Sequence, residues 1–145
     1  MRFQTCLTQQ PINHIYLSYS SNCYATGAVS GTSSVGGVAG VNDGSINNCV
    51  ALNQSISASG FAGRVIGTNS GTRTNNAAWV NMLVRGATVS GAAGDKNGAD
   101  MTLIEISSGD GTLGGRFSAP DWVITAGKLP VLSSSQNSDI PAHIL

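Results

Sequence analysis

Charged residues are scarce in this 145-residue chain: they make up 10% of it, against about 25% in a typical soluble domain. Seven Lys and Arg residues balance seven Asp and Glu residues, so the formal net charge is zero. The basic residues stand singly along the chain and form no cluster. Because nucleic acids and anionic lipids are held by concentrated positive charge, this distribution argues against both as partners.

Long apolar runs are also missing. No stretch approaches the roughly 20 apolar residues of a membrane-spanning helix, so we expect no membrane-spanning segment. The first twenty residues lack the apolar core of a signal peptide. Two interpretations remain: a protein that stays inside the cell, or a fragment of a longer protein, which we favour.

Cysteine is limited to Cys6, Cys23 and Cys49, which show neither a metal-binding spacing nor a Cys-x-x-Cys pair. The odd number argues against a disulfide framework, so we favour buried thiols. Cys23 and Cys49 occupy the same position of the repeat described next, and a disulfide between them is the alternative.

Glycine, asparagine and small residues are abundant, and they recur in order. Asn22, Asn48 and Asn75 mark equivalent positions, with a period of 26 residues and then 27 after an insertion near Ser55. The other equivalent sets are Ala25, Ala51 and Ala78; Gly36–Asn42 and Gly63–Asn69; and Gly44 and Gly71. A period of this length is typical of stacked repeat architectures.

Each repeat reads as strands of three or four residues, bounded by Gly, Asn, Ser or Thr. Such strands are too short to be stable alone, so each repeat must stack on its copy, with equivalent residues about 4.8 Å apart. Glycine is expected at the corners, which need positive φ. We predict an all-β fold: a right-handed parallel β-helix, or β-solenoid, of about three coils with a C-terminal cap.

Stacking would align identical side chains of successive coils. We expect amide ladders at Asn22, Asn48 and Asn75, and at Asn42 and Asn69. The core of the repeat is expected at Val38, Val65, Gly40 and Gly67.

The stretch "NCYATGAVSG…VGGVAGVNDGSINNC" resembles the GLUG-motif repeats of bacterial cell-surface proteins. Gly37–Asn42 carries the motif, and Arg64–Asn69 is a looser copy. Further similar segments are Asn75–Trp79, Gly86–Gly91, Asn97–Asp100 and Trp122 with Gly127–Leu132, so the resemblance covers about residues 21–132. It implies an extracellular or surface-anchored repeat protein and carries no agreed biochemical activity.

We expect four segments: an N-terminal segment or cap (1–20), the repeats (21–91), a C-terminal capping region (92–132) and a loose polar tail (133–145). In the capping region, Thr102 and Glu105 have the spacing of a capping box. They predict a short helix near Leu103–Ser107, although its two β-branched isoleucines favour a strand. Trp122–Ile124 reads as a strand that ends before Pro130.

Two glycine- or asparagine-rich loops could hold ligands. Asp95, Asn97 and Asp100 offer oxygen ligands for calcium in one loop, but a hydrogen-bonded Asx turn is the favoured interpretation. Gly109–Gly115 matches G-x-G-x-x-G, yet no strand–loop–helix unit surrounds it, so it reads as a loop. We expect no cofactor and no metal.

Residues suited to catalysis are sparse. The only histidines, His14 and His143, stand near the ends of the sequence, and the repeats contain one acid, Asp43. Enzymes that cleave polysaccharides on a β-helix need converging carboxylates. We therefore favour a non-catalytic surface or adhesion module that binds a glycan or a host or cell-surface protein weakly, or acts as a spacer.

Three other interpretations stay open. The first is a polysaccharide-active enzyme on a parallel β-helix. The second is an ice-binding face, which would need threonine at equivalent positions of successive repeats. Leu52 is the residue equivalent to Thr26, and it argues against this interpretation. The third concerns assembly: a bare edge on the first coil would favour self-association.

Overall fold

The computed structural model describes residues 16–132 and 139–145. The predictions for residues 1–15, with Cys6 and His14, and for 133–138 of the tail lie outside the described residues. The described chain consists of short strands and one short helix, so the predicted all-β class is confirmed. Among these residues, no helix is long and apolar enough to cross a bilayer.

The elements follow one another with short connections. The strands are β1 (Tyr16–Ser21), β2 (Tyr24–Thr26), β3 (Val29–Gly31), β4 (Val35–Gly36), β5 (Ala39–Asn47), β6 (Val50–Leu52), β7 (Ser55–Ala58), β8 (Ala62–Gly63), β9 (Ile66–Asn69), β10 (Thr72–Thr74), β11 (Ala77–Trp79), β12 (Leu83–Val84), β13 (Ala87–Thr88) and β14 (Ala99–Met101), and the helix is α1 (Leu103–Ser107).

Strands of successive repeats pair in parallel, in the register that the repeat alignment predicts. Ala51 lies between Ala25 on β2 and Ala78 on β11. The register changes from Thr26 opposite Leu52 to Val29 opposite Ile56, which is where the inserted residue was expected. Equivalent residues of the repeats therefore lie side by side.

The pairings make four sheets. One runs β1-β5-β10, with β9 also on β5; the others run β14-β11-β6-β2, β13-β12-β7-β3 and β4-β8. The hairpin of β12 and β13 is antiparallel. The second and third sheets thus have a further strand, β14 or β13, beside the strand of the third repeat.

The chain divides into two compact units between Asp100 and Met101, inside β14 and beyond the end of the repeats expected at residue 91. In the first unit, small and branched side chains from equivalent positions fill the interior. The fully buried ones include Ala25, Ala51, Ala78, Ile46, Ile56, Val65 and Ile66. Glycine allows close approach: a Cβ on Gly67 would lie 2.5 Å from the amide nitrogen of Val35.

In the second unit, α1 begins with the predicted capping box. The Glu105 backbone amide donates to Thr102 Oγ1 (3.4 Å), and the Thr102 amide donates to Glu105 Oε2 (2.7 Å). This bond from the Thr102 backbone lowers the pKa of the Glu105 carboxyl. Ile106 is buried, so capping outweighs the β-branched residues that favoured a strand.

The strand predicted at Trp122–Ile124 is wrong. The segment forms one isolated antiparallel bridge, between Val123 and Val131, with N–O distances of 2.7 and 3.2 Å. Pro130 has no amide hydrogen, so the pairing does not extend along the chain. Phe117 and Trp122 pack edge to face at 4.8 Å, and Ile144 is buried among the last described residues.

Candidate functional site

The asparagine pairs predicted from the repeat are brought together in two places. Asn75 Nδ2 donates to Asn48 Oδ1 at 2.8 Å, and Asn42 Nδ2 donates to Asn69 Oδ1 at 2.7 Å. Asn42 is fully buried, and its amide also donates to the Thr72 carbonyl at 3.0 Å. The amides therefore link neighbouring repeats through their side chains.

Asparagine also occupies corners that were expected to need glycine. Asn22, Asn48 and Asn75 have φ of 53°, 54° and 52°, and only Gly27 joins them with positive φ in the first two repeats. Asparagine tolerates this left-handed conformation better than other residues with a Cβ. The repeated asparagine is therefore both a backbone corner and a side-chain contact.

The residues expected at the core of the repeat are also adjacent. The Val38 amide donates to the Val65 carbonyl at 2.9 Å, and both side chains are buried. A Cβ on Gly67 would lie 2.7 Å from the carbonyl oxygen of Gly40. Gly67 could therefore not carry a side chain without moving the backbone.

Cys23 and Cys49 are buried thiols in neighbouring repeats, and they are not joined in a disulfide. Cys23 Sγ donates to the Ser21 carbonyl (3.3 Å), and Cys49 Sγ donates to the Asn47 carbonyl (3.2 Å). A hydrogen bond with Cys23, together with burial, raises the pKa of the Cys49 thiol. A protonated, buried thiol is a poor nucleophile, so these two cysteines belong to the interior.

The calcium candidates lie in a loop whose oxygens already have partners. Asp95 Oδ1 accepts from the amides of Asn97 (2.6 Å) and Gly98 (3.1 Å), while its Oδ2 accepts from Ala92 (2.9 Å). This is the predicted Asx turn. Among residues 16–132 and 139–145, no group of three or more His, Cys, Asp or Glu residues is placed to hold a metal.

Arg64 anchors the same loop, and the sequence analysis passed over it. Its side chain is fully buried, and Nη2 donates to Asp100 Oδ1 (2.6 Å) and to the Gly98 carbonyl (2.8 Å). Nε donates to the Asn97 carbonyl at 3.2 Å, and Nη1 makes a longer contact of 3.5 Å with the Trp79 carbonyl. The guanidinium thus fixes residues 97–100 against the third repeat.

A groove of about 300 Å³ opens beside this loop. It lies where the stack lacks a further strand: in the described part of the chain, β9 pairs with β5 alone and β8 with β4 alone. The Lys96 carbonyl covers part of this edge by accepting from the amides of Val65 (3.2 Å) and Ile66 (2.9 Å). The groove is lined by Phe61, Gly67, Thr68, Asn69, Arg73, Asp95 and Lys96.

The polar residues of the groove are held in place from outside it. Thr68 Oγ1 is 2.8 Å from Ser34 Oγ, and Asn69 accepts from Asn42 and donates to the Gly71 carbonyl (2.7 Å). Each retains capacity for one more hydrogen bond, because a hydroxyl has one donor and two lone pairs, and a side-chain amide has two donors and an oxygen with two lone pairs. The asparagine ladder therefore ends on the wall of the groove.

Phe61 and Arg73 depart from the repeat. Phe61 occupies the position equivalent to Ser34 of the preceding repeat, and it is 68% exposed. Arg73 on β10 pairs with Ile46 on β5, whose side chain is fully buried, so the Arg73 side chain begins at an inward-facing position. Arg73 Nε is buried and has no hydrogen-bond partner among the described residues. An exposed ring beside an unmatched guanidinium is unusual in a structural surface, and each could contact a ligand.

The groove has binding chemistry rather than catalytic chemistry. It combines one flat apolar ring, amide and hydroxyl groups, two cations and one carboxylate, Asp95, whose oxygens accept backbone hydrogen bonds. Asp43 and His143 are not among its lining residues, and Gly109–Gly115 lies in the second unit. The arrangement fits a small polar ligand with an apolar face, at the lower end of the ~300–1,000 Å³ range of ligand sites.

Comparisons of the chain with protein-family models, with curated proteins and with solved structures give no match.

Proposed function

We propose that this protein is a non-catalytic glycan-binding module of a cell-surface or secreted protein, built on a right-handed parallel β-solenoid of about three coils. The observation that carries the proposal is the groove that combines the exposed Phe61 with Asn69, Thr68 and Arg73. The GLUG-like repeats support a surface location and a role in adhesion.

The solenoid is supported by the register of the strands. Four parallel pairings join the first and second repeats, with an offset of 26 residues in the first pairing and 27 residues in the other three, and the Asn42–Asn69 bond accompanies one of them. The second repeat returns to all four sheets of the first, and a chain that returns in this way winds about one axis. The right hand follows from the strong preference of parallel crossovers.

Glycan recognition follows from the chemistry of the groove. A pyranose ring has a face of C–H groups that packs on an aromatic ring and a rim of hydroxyls that donate and accept hydrogen bonds. Phe61 offers the ring, and Asn69 and Thr68 offer groups already oriented by Asn42 and Ser34. Because these groups are ordered before binding, little entropy is lost when the sugar docks.

The alternative is a polysaccharide-active enzyme on the same scaffold. Glycosidases generally need two carboxylates about 5–10 Å apart. The groove contains one, Asp95, and three backbone amides stabilise it in its present position. This lining supports binding over hydrolysis.

Binding is tested with the whole chain on an array of immobilised oligosaccharides, followed by titration calorimetry with the best ligand. We expect Phe61→Ala to raise the dissociation constant at least about tenfold, because the aromatic face on which the sugar stacks is lost. Tyr19→Ala is the matched control, since Tyr19 is also 68% exposed but does not line the groove.

Incubation with the same polysaccharides, read as release of reducing ends, separates the two candidate functions. Binding without release supports the module. Release of sugar by the purified chain would establish the enzyme instead. If no glycan binds, or if Tyr19→Ala weakens binding as much as Phe61→Ala, the groove is not a glycan site.

A further inference from the structure

We infer that the groove recognises an acidic saccharide, with the sugar carboxylate seated on Arg73 and Lys96; this inference rests on the proposed function. The two residues come from different elements, Arg73 from β10 and Lys96 from the 92–98 loop, yet they line one groove. In a chain with seven basic residues, two in one groove are a local concentration of positive charge.

Arg73 provides the specific contact. Its Nε is buried and has no hydrogen-bond partner among the described residues, which is costly for a charged donor. A guanidinium presents its donors in a planar fork that matches a carboxylate in two parallel bonds. Because Nε itself is covered, a carboxylate in the groove would be bound by the terminal Nη donors of the fork, and its charge would partly offset the cost of desolvating the guanidinium.

Lys96 provides a second charge in a fixed place. Its Nζ donates to the Ala62 carbonyl at 2.7 Å, which holds the ammonium beside Phe61, the neighbour of Ala62 in sequence. An ammonium has three donors, so two remain for a ligand. The aromatic face and the positive charge are thus linked by one short stretch of chain.

Asp95 cancels only one of these two positive charges. Its two oxygens accept three backbone amide hydrogens in the Asx turn, which hold the side chain within the loop. With Arg73 and Lys96 against Asp95, the groove keeps one net positive charge. A neutral sugar would leave that positive charge without a counterpart.

The probes are oligogalacturonate and its methyl ester, which share one sugar and differ in the charge of the carboxyl group. We expect the whole chain to bind the acid form at least about tenfold more tightly than the ester, and this preference to fall as salt is raised from about 20 to about 200 mM. Dextran sulfate and dextran distinguish a sulfated ligand from a carboxylated one.

The variants are Arg73→Gln and Lys96→Gln, with Arg85→Asn as the control. Arg85 carries the same charge outside the groove, at φ 55°, where asparagine is well tolerated. Either groove variant should remove most of the preference for the acid, and the control should keep it. Lys96→Gln keeps the inference testable if Arg73→Gln does not fold, as judged by circular dichroism.

The outcomes separate the two proposals. Equal binding of acid and ester, lost in Phe61→Ala, would overturn the acidic saccharide and leave the glycan module standing. Binding of dextran sulfate without oligogalacturonate, or an equal effect of Arg85→Asn, would also overturn it. Absence of binding to every saccharide would overturn the proposed function itself.

Discussion

Replacing Arg64 by methionine removes a fully buried guanidinium while keeping an unbranched side chain of similar length. The change leaves the carbonyls of Trp79, Asn97 and Gly98 and the carboxylate of Asp100 without this donor. Three of the four acceptors belong to the segment 97–100, and the fourth, the Trp79 carbonyl, belongs to β11. The substitution therefore tests whether one side chain holds that loop in place.

The expected loss is about 3–5 kcal/mol of unfolding free energy, because three backbone carbonyls lose a charged donor. Each abandoned carbonyl contributes about 1–3 kcal/mol if it stays dry, and part of this is recovered as the loop relaxes. Asp100 is 38% exposed and can turn toward water, so its share is small. Accordingly, Asp100→Asn, which keeps the acceptor, should cost only about 1 kcal/mol.

The assay is urea unfolding followed by tryptophan emission in a Trp122→Phe background, where Trp79 reports on the first unit alone. A loss below about 1 kcal/mol for Arg64→Met would refute the reasoning, because it would mean that the loop does not depend on the guanidinium. If Asp100→Asn were as damaging as Arg64→Met, the ion pair and not the carbonyl contacts would be the main interaction.

Three further substitutions or reactions test the stacking of the repeats. Gly67→Ala should lower the free energy of unfolding by at least about 2 kcal/mol in the urea assay, because its Cβ would lie 2.5 Å from a backbone nitrogen. Gly94→Ala, which has open space around it, should change this free energy by no more than about 0.5 kcal/mol. Equal effects of the two substitutions would contradict the close approach at Gly67. Asn48→Ala should be less stable than Asn48→Gly by about 1 kcal/mol, because φ is 54° there, and the reverse order would refute the left-handed corner. In a Cys6→Ser background, Cys23 and Cys49 should react with a thiol reagent only after unfolding, even near pH 9, since the raised pKa of Cys49 keeps it protonated; rapid labelling of the native chain would contradict their burial.

Much of the pairing could be predicted because identical residues mark equivalent positions. Small residues and asparagines recur where neighbouring backbones approach closely, as at Gly40 and Gly67, so the alignment of the repeats already contains the register of the sheets. The helix at Leu103–Ser107 was predictable for a local reason, because its capping box involves residues three apart. Both signals are carried by residue types at fixed spacing.

The groove and its anchor could not be predicted in the same way. Arg64 occupies the position equivalent to Gly37 of the preceding repeat, and in the sequence it is only the first residue of a looser copy of the motif. Its partners Asn97 and Gly98 lie in a loop that does not belong to the repeats. Phe61 and Arg73 likewise replace Ser34 and Ile46. The signal that could have found them is the departure itself: a large or charged side chain at a position where the neighbouring repeat is small or apolar.

The most direct test of the central claim is detection of scalar couplings across individual backbone hydrogen bonds by NMR in the isotopically labelled chain. The account predicts that the amide nitrogen of Val38 couples to the carbonyl carbon of Val65, that of Val50 to Cys23, and that of Ala77 to Cys49. Each pair joins equivalent or adjacent positions of neighbouring repeats. Coupling of these amides to residues elsewhere in the sequence would contradict the stacking of the repeats and the proposals that rest on it.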